Sequence, residues 1–346
     1  MHPYCFINLY LISCITGDKG HQWVQLQADT HFTQSQCYAQ GTSLNIKSHW
    51  RSYFIFCKYF GITPLPANGP TLCMFLQFMS RTINSFKYLC NVMSSIKKLH
   101  QCTGYQLIAG ESLIVKAQLS GLRRILGDIQ IQKLPVTPGM LLHIYQLLNT
   151  SDTFHLCLWA AFTFGFFTFL RKSNIAAPSL KDFNPDKHLT RGDIFVSQDM
   201  LLVKVRWSKT IQFKQRLLLL PVSAIPNSVL CPVKAYSQLA IAVPACHNSP
   251  AFQYLDGAGR VTPLTHTVLV NSLKLILSTL GYNPKLYAGH SLRRGGATFA
   301  FQAGADHDLI RLQGDWASNA YQRYLQVNFS DKISTTRLMA SQLTLK

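Results

Sequence analysis

Residues 287–300 read YAGHSLRRGGATFA, and the reading of the whole chain turns on this stretch. His290, Arg293 and Arg294 fall within one helical turn, where positions i and i+3 share a face. Gly295, Gly296 and the small residues after them let that turn pack closely against whatever lies behind it. An imidazole beside a guanidinium is a poor core pair but a good clamp for a phosphate. Arginine offers a planar fork, and histidine can donate hydrogen bonds and move a proton. Taken alone, the pattern also suits a helix N-terminus with a solvated basic face. Its company decides between the two: FLRKSNI places Arg171 at the end of a long apolar run, RWSKT places Lys209 in a strand-like stretch, and GDWASNAYQRYLQ carries Trp316, Tyr321 and Tyr324.

In this order and at these separations, the set resembles the tyrosine recombinase (phage integrase) family. The match spans roughly residues 135–325, and HSLRRGGAT and the W-x7-Y segment are its most specific parts. The wording LRKSN and GHSLRRGGA is most similar to the recombinases of eukaryotic mobile elements.

Composition points to the same partner. A chain of 346 residues is long enough to bury a sizeable core and to split into two domains. Its net charge of +19 comes less from many bases than from few acids, and Glu111 is its only glutamate. Because the bases are dispersed and not gathered in one polybasic tail, a nucleic acid is a better partner than a membrane, and the resemblance implies that it is double-stranded DNA. A Mg²⁺-dependent nuclease needs several convergent carboxylates. The thirteen aspartates are scattered, with Asp306 and Asp308 the closest pair, so that class is disfavoured. Ten cysteines occur without a C-x-x-C pair or a zinc-type spacing, which predicts a reducing compartment, no disulfides and no metal or organic cofactor. No targeting signal is evident; the expected location is the nucleus in a eukaryote and the cytoplasm otherwise.

The chain reads as an α+β protein, mainly helical, with a small antiparallel sheet of three strands in its second domain. Residues 1–40 lack a period and read as a loosely ordered arm. A helical bundle is expected over 41–130, with helices from Thr42 to Gly61, from Asn68 (a cap, with Pro70 in the first turn), over 86–100 and over 113–126. Its basic residues include Lys47, Arg51, Lys58, Arg81, Lys87, Lys97, Lys98, Arg123 and Arg124. The resemblance implies that this bundle is the core DNA-binding domain, with Lys97, Lys98, Arg123 and Arg124 among its contacts. The second domain, 131–346, opens with Thr137 as a cap and Pro138 behind it. The apolar run 157–170 reads as a buried helix carrying Arg171 at its end. Strands are expected over 193–197, 201–207 and 216–221, with Lys209 in the turn between the last two. Helices follow over 230–242, 265–280, 291–303, 306–313 and 318–326.

Cutting a DNA strand without metal or water requires a protein nucleophile, a phosphate clamp and an acid for the leaving oxygen. A tyrosine hydroxyl with a pKa of about 10 attacks well only when its neighbours help it lose its proton. Arginines and a histidine can hold the non-bridging oxygens and the charge that grows in the transition state. A lysine on a strand turn can protonate the departing 5′-oxygen. The resemblance implies that Arg171 and Arg293 are the clamping arginines, Lys209 the strand-turn lysine, His290 the histidine of the H-x-x-R motif and Tyr324 the nucleophile. Trp316 falls where members carry His or Trp. The acid often found three residues after the first arginine is Asn174 here, an amide that can orient Arg171 without compensating its charge. Arg294 reads as a phosphate or surface contact. The implied activity is site-specific recombination or integration through a 3′-phosphotyrosyl intermediate, by a homotetramer assembled through residues 327–346. A catalytically silent, domesticated DNA-binding protein of the same fold is the alternative, and a type IB topoisomerase-like enzyme would share the chemistry as a monomer.

Overall fold

The computed structural model describes residues 19–105, 112–127, 132–179, 181–213, 215–323 and 325, with three isolated positions beyond. By its internal contacts the chain divides into Met1–Gln130 and Ile131–Lys346.

The first unit holds five described helices: α1 (Lys19–Ser35), α2 (Gln40–Tyr59), α3 (Gly69–Ser80), α4 (Phe86–Cys102) and α5 (Leu113–Leu126). Helix α3 starts where its sequence directs: Asn68 Oδ1 accepts from Thr71 N at 2.8 Å, and Pro70 needs no donor in the first turn. Ser85 caps α4 in the same way, accepting from Tyr88 N at 3.3 Å. Tyr53, Phe56, Leu72, Phe75, Leu76, Leu89, Val92, Ile96, Val115 and Leu122 close a core between α2 and α5. Helix α1 corrects the expectation of a loose arm over the described part of residues 1–40. It escaped notice because no face of it is buried: Trp23, Val24, Leu26 and Phe32 are all exposed, so no apolar period marks it.

The second unit is built around α7 (Thr153–Phe167), apolar on every side and buried from Leu156 to Phe166. Such a helix belongs at the centre of a core. Around it stand α6 (Pro138–Leu147), α9 (Pro232–Ala242), α10 (His266–Thr279) and α11 (Ser291–Gln302), followed by α12 (His307–Gln313). Strands β1 (Ile194–Val196), β2 (Met200–Val205) and β3 (Leu218–Ser223) form the antiparallel sheet in the order β1-β2-β3. Its register pairs Ile194 with Val203 and Val205 with Leu218. The sheet thus has the strand count and direction that the sequence predicts. A second hairpin, β4 (Gln253–Leu255) with β5 (Val261–Pro263), is not foreseen. Its turn is held by Asp256 Oδ1, which accepts from Ala258 N and Arg260 N at 2.9 Å each.

Two further expectations need correction. Helix α7 ends at Phe167, not at Leu170, because Phe169 turns left-handed with φ 52°. Arg171 therefore leaves a tight turn and stands at the N-cap of a short helix, α8 (Lys172–Ile175). Residues 319–323 form a 3₁₀ turn where a longer helix over 318–326 was expected. Tyr324 and nearly all of residues 326–346 lie outside the described residues.

The two glycines of RRGG make the close approach that the sequence predicts. A Cβ on Gly295 would collide with Val136 O, and one on Gly296 with Phe166 O and the Phe169 ring. Gly296→Ala must therefore push α11 off the end of α7, an overpacking that costs about 3 kcal/mol. Thermal melting should show a clear fall in Tm. Gly121→Ala, at a helical site with open space around the new methyl, is the control and should leave the protein as stable or slightly more so. Equal melting of the Gly296 variant and the parent would show that the approach is looser than described.

Candidate active site

The N-terminus of α11 gathers the functional side chains. Its entry is fixed by Val136 N donating to Ser291 O at 3.0 Å and Ala288 N donating to Ser291 Oγ at 2.9 Å. His290 occupies the N-cap and faces outward. Gly289 lies against the stem of Lys172, where any Cβ would displace it, so the Arg171–Lys172 segment is brought beside His290. Burial first, then the positive charges of Arg293, Arg171, Lys172 and Lys209, hold the His290 imidazole below its usual value. The charges of four cations from three separate segments thus act on one ring and favour its neutral form.

Arg293 lies at the base of this site, fully buried. Its Nη1 donates to Phe169 O and its Nη2 to Gly314 O, the latter at 2.6 Å. The Trp316 indole lies over the guanidinium, 3.8 Å from ring centroid to Cζ. One arginine therefore ties the turn before Arg171 to the loop before Trp316. Trp316 is itself nearly buried, in a cluster with Phe169, Ala297, Ile310, Tyr321 and Leu325.

Lys209 is exposed on the turn between β2 and β3. Its neighbours are not: Ser208 is buried, Ser208 and Ile211 bridge across the turn, and Gln212 Nε2 donates to Lys209 O at 2.7 Å. Asn174 is buried, and its Nδ2 donates to Trp207 O at 2.9 Å. The amide thus joins α8 to the strand that leads into the lysine turn, a role different from the orientation of Arg171 expected of it.

Arg294 is half-buried and donates to Gln132 Oε1, so it helps anchor the segment that enters the unit. In the first unit, Lys97, Arg123 and Arg124 are exposed, and Lys98 is half-buried with its ammonium 4.5 Å from the Tyr38 ring. The Arg123 guanidinium stands 5.8 Å from the Phe86 ring. Helix α2 adds Lys47, Arg51 and Lys58 beside Trp50 and Phe54 around one shallow depression.

The structure brings Arg171, Lys209, His290, Arg293 and Trp316 into one site. Tyr321 is buried beneath it, with Oη 3.1 Å from His307 Nδ1, and Tyr324 is not among the described residues. Sequence reasoning missed Lys172, which stands next to Arg171, and Asp315, which bonds to the turn of Lys209.

No protein-family model matches the chain. In sequence it is 24% identical over 302 residues to an integrase/recombinase XerD homolog of Selenomonas ruminantium, covering 85% of this chain and 82% of the relative. In structure it is similar to the Tn1549 transposon integrase in complex with circular intermediate DNA, with a TM-score of 0.56 and 15% identity over 89% of this chain and 97% of that one. It is also similar to a lambda integrase dimer bound to a COC′ core site, with a TM-score of 0.54 and 13% identity over 94% of this chain and 85% of the other. The XerH site-specific recombinase bound to its difH substrate gives a TM-score of 0.53 and 16% identity, over 83% of this chain and 76% of that one. None of these relatives is described as coming from a eukaryotic mobile element. The chain has the fold of these integrases and recombinases.

Proposed function

We propose that the protein is a DNA recombinase or integrase that breaks and rejoins strands through a covalent 3′-phosphotyrosyl intermediate, with Tyr324 as the nucleophile. The observation that carries this reading is that Gly289 packs on Lys172 beside Arg171, Arg293 bonds to Phe169 O and Gly314 O, and Asp315 joins the Lys209 turn to Trp316, in a fold shared with integrases bound to DNA.

In the reaction, Tyr324 Oη forms a bond to phosphorus and its proton passes to His290, whose depressed pKa keeps it neutral and able to accept. The P–O5′ bond breaks, and the departing oxygen takes a proton from the Lys209 ammonium. Arg171 holds non-bridging oxygens. Arg293 contributes its charge from below, and direct contact between its guanidinium and the phosphate requires the Trp316 loop to shift, since the side chain is fully buried. The bond energy is kept in the phosphotyrosine, so attack by a 5′-hydroxyl reverses the step without ATP.

Binding should depend steeply on salt. With basic residues on both units, about 6–10 phosphate contacts imply a loss of roughly 10³–10⁵ in affinity between 50 and 200 mM salt. A flat response in a filter-binding titration would contradict a protein that embraces the duplex backbone.

Assembly as a homotetramer rests on residues 327–346, where Ile333, Leu338, Met339 and Leu343 recur at near-helical spacing. Removing residues 331–346 should weaken higher-order assembly on DNA while single-site binding persists. Unchanged assembly in a sizing experiment would show that the segment is a passive tail.

A further inference from the structure

We propose that Asp315 is a positioning residue that latches the Lys209 turn to the Trp316 loop and so sets where the lysine delivers its proton. This inference rests on the recombinase reading above.

Asp315 is 3% exposed and sits at φ 53°, between the Gly314 carbonyl that receives Arg293 and the Trp316 ring that covers it. Its carboxylate is fully engaged. Oδ2 accepts from Ser208 Oγ at 2.7 Å and from Thr210 Oγ1, while Oδ1 accepts from Arg216 Nη2. Thr210 Oγ1 also lies 3.3 Å from Asp315 O. Ser208 and Thr210 are the residues on either side of Lys209, and Arg216 lies on the return limb of the same turn. One carboxylate therefore holds the turn at three points around the lysine, and Lys209 itself remains exposed.

The physical consequence is pre-organisation. A lysine side chain has four rotatable bonds, and an ammonium is useful as an acid only when it reaches the leaving oxygen at hydrogen-bond distance. Fixing both flanking residues fixes the Lys209 backbone, so the side chain searches a smaller volume. Charge-assisted hydrogen bonds to a buried carboxylate are strong enough for this, and the exposed Arg216 adds a third such bond from the return limb. Because Asp315 adjoins Trp316, the same residue couples the lysine turn to the cover over Arg293.

The test separates proton delivery from general damage by changing the leaving group. A nicked duplex is first recovered from a pool with randomised cores by its covalent retention on the protein. It is then made in two forms, one with the normal 5′-oxygen at the scissile phosphate and one with sulfur there. A thiol has a pKa of about 8.5 and leaves as a thiolate without needing a proton. Asp315→Asn is the variant of choice, since asparagine tolerates a left-handed backbone while it loses the charge that holds Arg216. It should slow adduct formation on the oxygen duplex about tenfold or more, a part of the ~10²–10⁴ that a positioned acid supplies. On the sulfur duplex it should react close to the parent rate, and Lys209→Ala should show the same rescue. Thr210→Val, which leaves Asp315 in place, should follow the same pattern more weakly and serves if the first variant folds poorly. Equal slowing on both duplexes by Asp315→Asn and Thr210→Val, with Lys209→Ala still rescued, would overturn the positioning role alone. Failure of the parent to form an adduct with any member of the pool would overturn the recombinase reading itself.

Discussion

Arg293→Lys should slow covalent adduct formation about 10²–10³-fold and lower the melting temperature together, although it conserves the charge. The guanidinium performs three tasks that an ammonium cannot combine. It donates to Phe169 O and Gly314 O from separate nitrogens, and it presents a flat face to the Trp316 indole. A lysine can satisfy one carbonyl as a point charge, leaving the other buried without its donor. Together with the lost stacking this costs about 3 kcal/mol, which for a domain of this size lowers Tm by roughly 6–12 °C. The chemical loss should be larger than the loss of folded protein, because the lysine no longer fixes the Arg171 turn and the Trp316 loop relative to each other. Removing one preorganised donor of this kind costs about 10²–10³ in rate. Adduct formation measured well below the variant's Tm separates the effects. A variant that melts lower but reacts at the parent rate would make Arg293 a purely structural pillar.

Much of this site was legible because its chemistry and its local geometry coincide in sequence. HSLRRGG places a helix start, an arginine and two contact glycines within about two turns, and the helix start and both glycine contacts are found in the structure. The lysine turn was legible for a similar reason, as two β-rich runs with a short polar break between them. What escaped was long-range or lacked a period. The carboxylate of Asp315 acts on a hydroxyl 107 residues away, and no local pattern announces such a bond. Arg293 reads from sequence as a surface clamp, yet it is buried, since its partners are backbone carbonyls that carry no residue-type signal. The end of α7 was misplaced for a simpler reason. Its apolar run continues through Phe169 and Leu170, but the left-handed turn at Phe169 ends the helix before hydrophobicity does.

The most direct test of the central claim is which tyrosine becomes attached to DNA. Tyr321 and Tyr324 are three residues apart, about 300° around a helix, so spacing alone does not separate them. Burial does bear on the choice. Tyr321 is 4% exposed, packed with Trp316 and Ile310, and its hydroxyl meets His307. Tyr324 lies eight residues beyond Trp316 and follows Arg323. The measurement is covalent retention of the pool-selected nicked duplex on the protein, read on a denaturing gel for the parent, Tyr324→Phe and Tyr321→Phe. The account predicts that Tyr324→Phe binds the duplex normally and forms no covalent complex, because only the attacking oxygen is gone. Tyr321→Phe should keep the adduct with a modest loss of rate, since it gives up one hydrogen bond to His307 and little packing. An adduct that persists in Tyr324→Phe and disappears in Tyr321→Phe would contradict the assignment and move the nucleophile into the cluster beneath Trp316.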